Sequence, residues 1–108
     1  MNFSDEMEIL LRAIKTFGVE HQLSMLQEEC GECSVAINHF RRSRIGLHEL
    51  ISEMVDVEIM IDQMKLAYPP EIWNKIKDEK LIRLSETILK KLNETSGEGL
   101  ECQQGVKK

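Results

Sequence analysis

A chain of 108 residues, 42% hydrophobic and 31% charged, has the composition of one globular domain with a modest core. Its net charge of -5 opposes a primary role in binding nucleic acid, and the short basic cluster Arg41, Arg42 and Arg44 does not reverse that. No apolar run approaches a bilayer span, the acidic start MNFSDEMEIL lacks a signal peptide's cations, and three irregularly spaced cysteines make no disulfide framework, which predicts a cytoplasmic protein.

Four helices are legible in chain order. Ser4 suits the N-cap of the first, with Asp5 and Glu6 favourable in its first turn. Met7, Leu10, Ile14 and Phe17 form its apolar stripe, and Gly18 ends it. The second runs from about Val19 to Phe40, with Leu23, Leu26, Cys30, Cys33, Ile37 and Phe40 as its packing seam. After the polar break RRSRIG, the third spans about Leu47 to Leu66. One apolar row holds Leu47, Leu50, Met54, Val57, Ile61 and Met64, and a second holds Ile51, Val55, Ile59 and Leu66. A helix apolar on several sides needs more partners than one short chain supplies, which predicts an oligomer.

YPPE stops the third helix, because the residue before a proline avoids the α region, and Pro70 opens the fourth. That helix runs to about Leu92 on Ile72, Ile76, Leu81, Leu84, Ile88 and Leu92. Residues 93–108 carry turn formers without periodicity and read as a disordered tail, leaving 1–92 as the helical domain.

The second helix contains QEECGEC. Glu29 and Glu32 stand three residues apart, and Glu53 and Asp56 repeat that spacing on the third helix. If the two helices fold back as an antiparallel hairpin, both pairs can face one groove, where a cation would relieve their repulsion. Hard carboxylate ligands suit Mg²⁺, with Mn²⁺ as a substitute. Two solvated acidic faces would give the same spacing. Cys30 and Cys33 form a C-x-x-C without the strand-to-helix start of a redox motif, so they read as core residues beside the acids. A di-iron bundle needs Glu-x-x-His pairs, and none of His21, His39 and His48 follows a glutamate at that distance.

EECGE followed by EMVD resembles the ExxE and ExxD motifs of the MazG-like all-α nucleoside triphosphate pyrophosphohydrolases, over roughly residues 19 to 92. The likeness is greatest to the short single-domain phage and bacterial members. It implies Mg²⁺-dependent hydrolysis of a (deoxy)nucleoside triphosphate to the monophosphate and pyrophosphate. It also implies metal ligation by Glu29, Glu32, Glu53 and Asp56. Glu28 would then orient or deprotonate the attacking water, or else be a surface charge.

Lys77, Lys80 and Arg83 recur along one stripe of the fourth helix, as a phosphate clamp or a solvated face. Trp73 would stack on a base or anchor an interface, and Asn38 would reach a sugar or base edge or cap a helix end. Arg41, Arg42 and Arg44 complement the C-terminal dipole of the second helix. The expected architecture is all-α: a helical hairpin with flanking helices that dimerises into a four-helix bundle. The resemblance adds a homodimer or dimer-based tetramer. The rival reading is a non-catalytic helical binding or regulatory protein with an acidic cation-binding groove.

Overall fold

A computed structural model describes residues 1–98, with the side chains of 96–98 left aside. Every regular element among the described residues is helical: α1 (Phe3–Phe17), α2 (Val19–Arg41), α3 (Leu47–Ala67) and α4 (Pro70–Glu98). None of these helices is long and apolar enough to cross a membrane. The chain divides into two compact units, residues 1–70 and the part from Glu71 onward.

Local chemistry sets the helix ends. The cap of α1 is Asn2, whose Oδ1 accepts the Asp5 N–H at 2.8 Å, so the helix starts before the expected Ser4. Asparagine caps as well as serine does, and the earlier start extends the helix. Gly18 ends it at φ 89, donating its N–H to the Ile14 carbonyl at 2.8 Å. The end of α2 is a Schellman turn. Ser43 N–H reaches the Phe40 carbonyl at 2.9 Å and Arg44 N–H reaches the His39 carbonyl at 2.8 Å. Gly46 then caps α3, its N–H held by Glu49 Oε1 at 3.1 Å. Tyr68, ahead of Pro69, is extended at φ -119 and ψ 159, which stops α3.

In the first unit α2 and α3 form an antiparallel hairpin. Gln22, early in α2, meets Gln63, late in α3, while Glu29, nearer the turn, meets Glu53 and Asp56. The helix α1 packs against both. The seam of α2 runs through Gln22, Leu26, Glu29, Cys33 and Ala36, all buried or half-buried. It keeps Leu26 and Cys33 of the expected apolar row and takes Gln22, Glu29 and Ala36 in place of Leu23, Cys30 and Ile37, which are exposed. On α3 the inward positions are Leu50, Glu53, Asp56, Val57, Met60, Gln63 and Met64, whereas Leu47 and Met54 of the expected row are exposed. Polar side chains that find partners or each other across the hairpin take seam positions, and the apolar row beside them is left outside.

The second unit is described only as far as α4. Nearly all of that helix is exposed, apart from half-buried Trp73 and buried Thr95. The expected end at Leu92 is passed, because α4 continues through Asn93–Glu98. Thr95 bonds its hydroxyl to the Lys91 carbonyl at 2.9 Å within that extension. Residues 99–108, including Cys102 and the rest of the expected tail, lie outside the described residues.

Candidate metal centre

The hairpin brings together three of the four expected carboxylates. Glu29 on α2 and Glu53 and Asp56 on α3 each place one oxygen within 4.8 Å of the other two, and all three residues are half-buried. Their meeting follows from the seam register: Glu29 is on the α2 face that packs against α3, and Glu53 and Asp56 lie one turn apart on the facing side. Oε1 of Glu29 and Oε1 of Glu53 are buried and have no hydrogen-bond partner. Buried acceptors are nearly always satisfied, so two orphaned ones in one cluster mark a place that lacks a positive partner among the described residues.

The electrostatics agree. Burial first, and then the charges of Glu32, Asp56, Glu53 and Glu28, push the Glu29 carboxyl above its ordinary value. A divalent cation among these oxygens would reverse that balance, and three carboxylates leave room in an octahedral shell for water or phosphate oxygens. The donor set is all hard oxygen, which fits Mg²⁺ or Mn²⁺ and does not select a soft metal.

Glu32, the remaining expected ligand, is exposed and is not one of the three converging groups, although its charge bears on Glu29. It lines an open groove with Glu28, Gly31, Val35 and Glu53. Glu28 is thus beside the carboxylate cluster, at the surface. Asn38 is exposed further along α2. In the second unit, Lys77, Lys80 and Arg83 are exposed on α4 and Trp73 is half-buried. The cysteines do not form a core pair: Cys30 is exposed and Cys33 half-buried, both as free thiols.

Sequence reasoning missed the polar layer beneath the cluster. Gln22 donates from Nε2 to Gln63 Oε1 at 2.8 Å, both residues being at least 95% buried. His21 Nδ1 lies 2.7 Å from Gln22 Oε1, and the His21 ring stacks on Phe17 at 5.5 Å. The one available signal was Gln63, the only amide side chain in α3. Comparisons with protein-family models, curated proteins and solved structures find no match to this chain.

Proposed function

We propose that this protein is a Mg²⁺-dependent nucleoside triphosphate pyrophosphohydrolase of the MazG-like type, releasing a monophosphate and pyrophosphate from a (deoxy)nucleoside triphosphate. The observation that carries the reading is the pair of buried, unpartnered oxygens on Glu29 and Glu53 within a cluster of three carboxylates. The order of the two acidic motifs on an antiparallel hairpin supports it as well.

Glu29, Glu53 and Asp56 would hold the divalent ion, with Glu32 at the edge of its coordination sphere. A bound ion supplies charge neutralisation of the triphosphate and an acidified water for in-line attack at the α-phosphorus. Glu28, exposed in the groove that Glu53 also lines, would orient that water and take its proton. Asn38, on the same helix as Glu29, would contact the nucleoside.

A second copy completes the bundle in this reading. Among the described residues no large side chain is fully buried, while Leu23, Ile37, Ile51, Val55 and Ile59 of the hairpin stay 39–44% exposed. Such an uncovered apolar row is what a helical partner covers, giving a dimer or dimer-based tetramer.

Pyrophosphate release from a panel of nucleoside triphosphates and their deoxy forms, with Mg²⁺, Mn²⁺ or EDTA, tests the activity. Metal-dependent monophosphate and pyrophosphate are expected. A folded, Mg²⁺-binding protein that turns over none of them would instead be the non-catalytic cation-binding protein. Sedimentation equilibrium tests the assembly, and a monomer at micromolar concentration would remove the second copy.

A further inference from the structure

Gly31 sits inside α2, three residues after Glu28 and directly before Glu32, where glycine is the poorest helix former after proline. Its backbone is not left-handed, since Gly18 is the only described glycine with positive φ. A Cβ built on it meets nothing within 4 Å. The chain's own packing therefore gives no reason for a missing side chain there. Its surroundings do. Gly31 and Val35 are on the groove face of α2, Glu28 and Glu32 flank them, and Glu53 lines the opposite side with its buried oxygen unpartnered.

We infer that Gly31 is where the phosphate chain of the substrate, carried with its divalent cation, comes into van der Waals contact with α2. This rests on the metal-dependent reading above. The three groove carboxylates repel a bare polyphosphate, so only a cation-bearing one is accepted, and the absent Cβ lets it descend to the helix backbone beside Glu53. Gly31 is thus a positioning residue for the ligand and not a requirement of the fold.

The test compares the full-length protein with Gly31→Ala and Gly31→Leu, using thermal melting and calorimetric titration with Mn²⁺ alone and with Mg²⁺ plus inorganic tripolyphosphate. The expected pattern has opposite signs. Without ligand the alanine variant melts about 4 °C higher, as a better helix former in open space. Mn²⁺ affinity is unchanged, while tripolyphosphate affinity falls about tenfold in the alanine variant and further in the leucine variant.

Unchanged tripolyphosphate affinity in both variants overturns the assignment. So does a lower melting temperature, which would make Gly31 a need of the fold, or an altered Mn²⁺ affinity, which would tie it to the carboxylates. A change in oligomeric state would make it a contact between copies, and also overturns it. Failure of the wild-type protein to bind Mg²⁺–tripolyphosphate is a separate result, and removes the nucleotide reading itself.

Discussion

Glu29 on α2 and Glu53 on α3 meet across the hairpin, each with a buried Oε1 that no donor among the described residues reaches. Without a cation this contact is repulsive, and with one it is a clamp between the two helices. Mg²⁺ should therefore raise the melting temperature. At a hundredfold excess over its dissociation constant the gain is about 2.7 kcal/mol. Glu53→Gln should abolish most of that rise and, in EDTA, melt above the wild type because a like charge is gone. Melts of both proteins with EDTA and with Mg²⁺ check this. A Mg²⁺ response that survives Glu53→Gln would remove Glu53 from the site.

The raised pKa of Glu29 fixes a pH dependence with a definite sign. Between its ordinary value of 4.5 and its higher folded value, the folded chain holds a proton that the unfolded chain has released. Glu29's contribution to stability in EDTA should thus be full below the unfolded pKa and be lost as pH rises through the folded one. Mg²⁺ competes with that proton, so the metal-induced gain should grow over the same window. Urea titrations at stepped pH, with and without Mg²⁺, measure both slopes. Glu29→Gln should flatten the EDTA slope, and an unaltered slope in that variant would assign the effect to another group.

The helix boundaries were legible because each has a local cause: positive φ at Gly18, the polar turn before Leu47, and Tyr-Pro-Pro at 68–70. The seam was harder to read. Adjacent rows on a helix differ by only about 100°, and an apolar count favours Leu23, Cys30 and Ile37 over Gln22, Glu29 and Ala36. The structure takes the second row, whose polar members meet partners on α3 that no local pattern reveals. The same geometry separates Glu29 from Glu32. Residues three apart diverge by about 60° around the axis, enough to put one carboxylate inward and the other on the open groove. The length of α4 escaped the reading because Asn, Thr, Ser and Gly at 93–97 resemble a turn, yet Thr95 bonds back to Lys91 and the helix continues.

Gln22 and Gln63 hydrogen-bond side chain to side chain between α2 and α3, and both are buried. Gln63→Leu removes the acceptor and leaves the Gln22 amide facing an apolar neighbour, a cost of about 1–3 kcal/mol. Gln22→Leu should behave similarly. The double variant should recover much of the loss, since neither amide is then stranded, giving a coupling of about 0.5–3 kcal/mol in a double-mutant cycle. Urea unfolding of the four proteins measures it. Strict additivity would mean that the pair does not bond in solution.

Ser43 holds φ 60, the left-handed region, at the position of the Schellman turn where glycine is most at ease. Its hydroxyl does not earn the conformation: both bonds that close the turn come from backbone N–H groups, Ser43 to Phe40 and Arg44 to His39. The Cβ strain of a non-glycine residue there is about 1–2 kcal/mol, partly offset by the greater freedom glycine brings to the unfolded chain. Ser43→Gly should therefore stabilise the protein by about 0.5–1 kcal/mol, and Ser43→Val should destabilise it, since a β-branched residue tolerates this region least. Urea midpoints at constant m-value measure both. Because the turn sets the register in which α2 and α3 run back along each other, Mg²⁺ affinity should follow the same order. A valine variant as stable as the wild type would show that the turn does not hold this conformation in solution.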